Sequence, residues 1–382
     1  MSDHREYSHE SWFEHLGTAL KRSIAGIFLV ILSFYLLIWN EERSVLRHQA
    51  IKEGAGVAIS VRPNQVLSEN NGKLVHTSGQ LKVFNQLTDP VFNVSVAAIK
   101  MSRDVFMYQW VQEIITRTET AQDGGEYTIT DYNYKKQWVN KLVDSSSFKK
   151  KNHENPTEIP FQSQLFLADK VNLGDFSLSE KFYKKLKHYE SFKAESIEPL
   201  ALNERMKQYD GGYYIGENPL SPAIGDVKIS FHIVTPTIIS AIGEQRNNSL
   251  VPYSTSSGES LALLEYGTVS MGKMFTIAEQ ENIALTWLAR FGGFILMTFG
   301  FLATFYIFEV ITRVLPFFGR LINAGLLILS VFLSASLSII TIALGWIAHR
   351  PIIAYSLIAI AVLFFVFSIF KVMKANPDID DD

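Results

Sequence analysis

The chain has 382 residues, 47% of them hydrophobic, no cysteine, and 35 Lys+Arg against 38 Asp+Glu, a formal net charge of −3. With no Lys/Arg block longer than Lys149-Lys150-Lys151, the charge argues against a nucleic-acid partner, which demands a basic stripe or patch. The missing cysteines exclude disulfides, thiolate metal sites and a thiol nucleophile.

Apolar residues are crowded into four runs, 24–39, 291–308, 321–348 and 351–370, none of which holds an Asp, Glu, Lys or Arg. A bilayer core of roughly 30 Å needs about 20 mostly apolar helical residues. A purely soluble enzyme is therefore excluded. The expected fold class is an integral membrane α-helical protein with four transmembrane helices and a large β-rich α+β extramembrane domain. Residues 1–22 form a cytoplasmic N-terminal segment, 23–40 the first membrane helix and 41–290 the outer domain. The further membrane helices are 291–308, 321–348 and 351–370, and 371–382 is a cytoplasmic acidic tail. Orientation follows from Lys21 and Arg22 before the first run and Glu41 and Glu42 after it. The bulky end Leu37-Ile38-Trp39 lacks a cleavage site of small residues, so the first run reads as an uncleaved anchor.

Ahead of that run, Trp12, Leu16 and Leu20 recur at helical spacing beside Phe13, and Ser11-Trp12-Phe13-Glu14 is a capping box. The expectation is a short helix on the inner membrane surface, with Trp12, Phe13, Leu16, Lys21 and Arg22 meeting lipid. His9-Glu10 and His15 have the wrong spacing for a helical zinc motif.

The outer domain reads as strands at 57–61, 74–77, 80–84, 94–101, 106–116, 127–139, 226–234, 237–244 and 261–269. Asp123-Gly124-Gly125 joins 106–116 to 127–139 in a long hairpin with aromatic residues on both strands. A helix with Lys184, Lys185 and Lys187 on one face is expected over 179–189. His76, His153, His188 and His232 are scattered singly, and no nucleophile elbow, Walker loop or dinucleotide fingerprint occurs. No catalytic, cofactor or metal residues are assigned.

In the third run Ser330, Ser334, Ser338, Thr341 and Gly345 fall along one helical face, with Ser336 off the stripe, and Gly293 and Gly300 supply small positions in the second. Small faces let helix backbones approach closely, and hydroxyls can bond across the contact. The stripe is the basis for expecting a homo-oligomer. A pore lining is the alternative use of the same hydroxyls, but the runs carry no ionisable residue.

Ser33-Phe34-Tyr35-Leu36 running to Asn40-Glu41, Met107-Tyr108-Gln109-Trp110-Val111 and Gly225-Asp226-Val227-Lys228-Ile229-Ser230-Phe231 then carry a resemblance. With Leu250-Val251-Pro252-Tyr253-Ser254-Thr255, Gly345-Trp346 and Arg350-Pro351, they resemble, in the same order over nearly the whole chain, the LUMA (transmembrane protein 43) family. That resemblance implies a non-enzymatic multi-pass scaffold that self-associates through its membrane helices and organises membrane protein complexes. Its expected partners are membrane lipids, other copies and other membrane proteins, with emerin and lamins among them in a eukaryote. In a eukaryote it sits in the endoplasmic reticulum and inner nuclear membrane with a lumenal domain. In a bacterial member, which the missing cysteines suit, it sits in the inner membrane with a periplasmic domain. The competing classes are an oligomeric channel or transporter, and an envelope- or lipid-acting enzyme with a site in the outer domain.

Overall fold

The computed structural model describes residues 4–121, 125–194, 205–312 and 316–346, with scattered helical positions between 352 and 366. The chain divides into a β-rich unit, chiefly Ala50–Thr116 and Thr130–Ala278, and a helical unit of Tyr7–Gln49, Arg117–Ile129 and Glu279–Asp382.

Strand Val227–Val234 shows how the β-rich unit is built. Its residues alternate, Val227, Ile229, Phe231 and Ile233 buried and Lys228, Ser230 and His232 half-buried on the other face. It pairs antiparallel with the start of Lys100–Thr120, from Val227 opposite Met107 to Val234 opposite Lys100. These two lie in an eight-stranded sheet ordered His4–Glu10, Glu126–Val139, Lys100–Thr120, Val227–Val234, Gly212–Ile215 and Met206–Tyr209. Glu190–Phe192 and Gln164–Leu167 pair off that path.

In a second, seven-stranded sheet, Leu74–Val83 pairs with Ile238–Arg246 and with Val171–Leu173. Phe176–Leu178 and Ser249–Val251 complete a ring of five strands that closes on itself. One apolar core, including Val75, Leu81, Phe92, Val171, Phe176, Tyr213, Ile229, Phe231 and Ile239, draws on both sheets.

Two buried cations fix the loops around this core. Arg103 Nη1 donates to both oxygens of the fully buried Asp89, at 2.8 and 2.7 Å, while Asp89 also accepts from the backbone N–H groups of Val91 and Phe92. Lys100 Nζ donates to the carbonyls of Lys184 and Leu186, at 2.8 and 2.7 Å. Burial, and then the positive Lys187 and Lys184, pushes the Lys100 amine below the usual lysine range. Capturing those carbonyls ends the basic helix early: α-helix spans only Glu180–Tyr183, not the expected 179–189, and Lys185 Nζ donates to the Ala262 carbonyl.

The N-terminal segment departs from expectation. Instead of a separate piece, His4–Glu10 is an edge strand beside Glu126–Val139. Arg5 Nε donates to Asp131 Oδ1 at 2.5 Å, Tyr132 Oη donates to Glu6 Oε2 at 3.0 Å, and Lys149 Nζ lies 3.0 Å from Glu6.

The absence of cysteine makes this pairing directly testable. In an Arg5→Cys, Asp131→Cys variant, mild oxidation is expected to give an intramolecular disulfide. A Thr88→Cys, Ser95→Cys pair, on partner positions of another hairpin, serves as the positive control. A control that cross-links beside a test pair that does not would place the N-terminal strand elsewhere.

Candidate functional site

Three helices dominate the described chain: α1 at Trp12–Val57, and two that we label α3 and α4, at Met271–Thr312 and Pro316–Trp346; the short Glu180–Tyr183 helix is α2. Among the described residues, three helices are long and apolar enough to cross a membrane. The expected fourth span, 351–370, lies largely outside the described residues. The separate surface helix expected before the first span is instead the opening turns of α1, whose helical pattern runs unbroken through 12–57.

These helices are built inside out relative to a soluble bundle. On α1, Ile24, Ile27, Phe28, Ile31, Tyr35 and Ile38 are exposed, while Ser23, Ser33, Asn40 and Glu41 are buried. On α3, Leu288, Phe291 and Phe299 are exposed while Asn282, Thr286 and Arg290 are buried. An apolar exterior around a polar interior is the pattern that lipid selects.

The centre of that interior is an ion pair. Arg290 Nε donates to Glu41 Oε1 and Arg290 Nη2 to Glu41 Oε2, both at 2.7 Å. Glu41 is 1% exposed and Arg290 9%. From α4, Trp346 Nε1 donates to Glu41 Oε2 at 2.7 Å, and the Arg290 guanidinium lies 5.1 Å from the Trp346 ring and 4.9 Å from that of Trp287. Arg43 extends the ladder, donating to Asn40 Oδ1, Asn282 Oδ1 and Thr286 Oγ1 at 3.1–3.2 Å. Asn40 Nδ2 donates to the Thr286 carbonyl and Asn282 Nδ2 to the Ser44 carbonyl. The expectation of spans without ionisable residues holds within the apolar windows, but the charges act immediately beside them, at positions that hydropathy discards as flanks.

The small residues sit where backbones meet. A Cβ at Gly26 would stand 2.6 Å from the Gly300 carbonyl oxygen, and one at Gly300 2.9 Å from the Val30 nitrogen. A Cβ at Gly293 would strike the Leu37 side chain, and one at Gly345 would lie 2.8 Å from Glu41 Cβ. Ser330, Ser334, Ser336, Ser338 and Thr341 are all buried within the single chain. Ser330, Ser334 and Thr341 donate to the carbonyls four residues back in α4, at 2.7 Å each, so their hydroxyls are satisfied within the helix and do not bond across a contact. Ser338 Oγ donates to Met297 Sδ of α3 at 3.7 Å, and Ser336 Oγ is buried with no hydrogen-bond partner among the described residues. The stripe is thus covered by the chain's own packing, which removes it as an open face for joining copies.

At the other end of α1, Trp12 Nε1 donates to the Val310 carbonyl and Arg22 lies 4.0 Å over the Tyr306 ring. Phe13 is 79% exposed, Lys21 is exposed and Leu16 half-buried. His15, which the spacing argument set aside for zinc, is buried with Nδ1 3.0 Å from Glu126, a contact that sequence distance conceals. Among the described residues no group of three or more His, Asp or Glu is arranged to hold a metal.

A model of the family described as Transmembrane protein 43 matches residues 107–351. Transmembrane protein 43 of Homo sapiens is 30% identical over 368 residues, covering 93% of this chain and 91% of that protein. The chain belongs to the transmembrane protein 43 family. The Mus musculus protein is 30% identical over 353 residues, covering 89% of this chain and 88% of its own. The Drosophila melanogaster transmembrane protein 43 homolog is 30% identical over 349 residues, 88% of this chain and 91% of its own. No solved structure matches. The family match takes in Arg290, Thr286, Gly300 and the α4 stripe, whereas Glu41 and Arg43 lie N-terminal to it.

In the β-rich unit, His76 joins the exit of α1 to the entry of α3. Its Nε2–H donates to the Val269 carbonyl at 2.9 Å, and its Nδ1 lies 3.2 Å from the Ser60 hydroxyl. Burial pushes its pKa below the ordinary histidine value, against a raising effect of the Val269 bond.

One outcome concerns the ion pair of the anchor and a second His76 of the β-rich unit. Glu41→Ala leaves a buried guanidinium without its counter-ion and is expected to cost about 3–5 kcal/mol. Glu41→Leu with Arg290→Leu is expected to recover much of that, read as thermal unfolding in lipid discs. For His76 the folded pKa lies below the unfolded one, so its contribution is complete above about pH 6.5. That contribution is lost as pH falls from there through the folded value. Unfolding midpoints between pH 7 and 5 should fall more steeply in the wild type than in His76→Gln.

Proposed function

We propose that this transmembrane protein 43 family member is a non-enzymatic scaffold, a β-rich binding unit carried on a closed multi-helix anchor. The observation that carries this reading is the anchor's interior. Glu41, Arg290, Trp346, Arg43, Asn282 and Thr286 satisfy one another across α1, α3 and α4, and Gly26 and Gly300 bring backbones into contact. Polar groups that neutralise each other in a filled interior hold helices together, whereas a conduit needs polar groups turned to a water path. This favours the anchor over a channel or transporter.

Because the α4 stripe is used within one chain, self-association and the recruitment of other membrane proteins fall to the outward apolar faces, such as Trp287, Phe291 and Phe299 on α3. In a eukaryotic cell the scaffold works in the endoplasmic reticulum and inner nuclear membrane with emerin and lamins as partners. In a bacterium it works in the inner membrane.

The test is the mass of the purified protein in lipid discs, paired with ion flux in sealed vesicles. The expected result is an assembly larger than one chain that Trp287→Ala with Phe291→Ala reduces, without ion flux. A monomeric wild type overturns the self-association, and sustained selective flux overturns the scaffold.

A further inference from the structure

The outward face of Val227–Val234 opens on a cavity in the β-rich unit of about 420 Å³, lined among others by Phe106, Trp138, Ser191, Lys193, Lys228 and His232. The sheet explains the gathering. Ser191 is the antiparallel partner of His232, so the two project from one face, and Lys193 follows two residues later on the same face. Ser230 adds a second hydroxyl to the lining.

The carboxylates nearby are already engaged. Asp104 Oδ2 lies 2.7 Å from His232 Nδ1 and its Oδ1 accepts from Ser102 at 2.8 Å. Asp210 accepts from Lys228 at 3.3 Å. What stays unused is donor capacity: among the described residues Lys193 Nζ, Ser191 Oγ and Ser230 Oγ make no hydrogen bond, and Lys228 keeps two of its three N–H groups. A concave site with surplus donors, one uncompensated ammonium and two aromatic walls has the complement of a tetrahedral oxyanion attached to a less polar body.

We propose that this cavity binds a phosphate-bearing ligand, held by Lys193, Lys228, Ser191 and Ser230, with its organic part against Phe106 and Trp138. The phosphate comes from a lipid headgroup or from a soluble phosphate ester. This site is separate from the membrane anchor, so it stands whether or not the scaffold reading does.

The experiment is calorimetric titration of the full chain in uncharged detergent with inorganic phosphate, glycerol 3-phosphate and short-chain phosphatidic acid, against short-chain phosphatidylcholine. Saturable binding of glycerol 3-phosphate, weakened at least tenfold in Lys193→Ala and retained in Lys193→Arg, is the expected result. Phosphatidic acid binding at least tenfold tighter, with the gain lost in Trp138→Ala, identifies a lipid headgroup, and equal affinities identify a soluble ester. The absence of saturable binding to all three phosphate probes overturns the proposal, as does binding that Lys193→Ala and Ser191→Ala leave unchanged.

Discussion

Everything in the helical unit is arranged around the requirement that Glu41 and Arg290 meet. A lone charge held out of water is costly, and a bidentate pair offsets that cost only when its geometry is good and its remaining lone pairs are used. Arg290 supplies the fork and Trp346 the additional donor, so three helices must arrive at one level together. The contact therefore sets helix register as well as adding stability. The glycines serve the same constraint: with side chains at 26, 300 or 345, α1 could not approach α3 and α4 closely enough for the pair to form.

The β-rich unit answers to a different constraint, the alternation of its strands. Burying Val227, Ile229, Phe231 and Ile233 against the shared core forces Lys228, Ser230 and His232 together on the opposite face. Neighbouring strands obey the same rule, which brings Asp104 from one side and Ser191 from the other to the same patch. The cavity is thus a by-product of core formation that leaves polar groups concentrated in one place. The same logic applies at His76, whose ring ties together the segments that leave α1 and enter α3.

How much of this could be read from the sequence depends on whether the deciding signal was local. The strands around Asp226–Val234 and Thr237–Glu244 are locally encoded by alternation and turn residues, and the observed Val227–Val234 and Ile238–Arg246 match them closely. The two runs 74–77 and 80–84 merge into one strand, Leu74–Val83, because Gly79 lies in a pairing with Ile239 and does not break it. The ring of five strands was hidden because its parallel contact, Phe176–Leu178 with Ser249–Val251, joins segments over seventy residues apart. The small residues in the spans were visible, but their partners were not: periodicity identifies a face without saying which helix covers it. In the sequence Glu41 serves as an orientation signal and Arg290 only as the last residue of the outer domain, since nothing within either segment reveals the other 249 positions away.

The edge strand His4–Glu10 has one further consequence. A chain confined to a membrane meets its neighbours in two dimensions, where any open row of backbone donors and acceptors invites strand addition from the next copy. In the second sheet, five strands avoid this by closing on themselves. The eight-stranded sheet cannot close, and on one side it ends in His-Arg-Glu-Tyr-Ser-His-Glu, a segment crowded with acidic and basic side chains. Stacked in parallel register on an identical strand, that segment would set Arg5 beside Arg5, Glu6 beside Glu6 and Glu10 beside Glu10, so this pairing of the rim with its own image is repulsive.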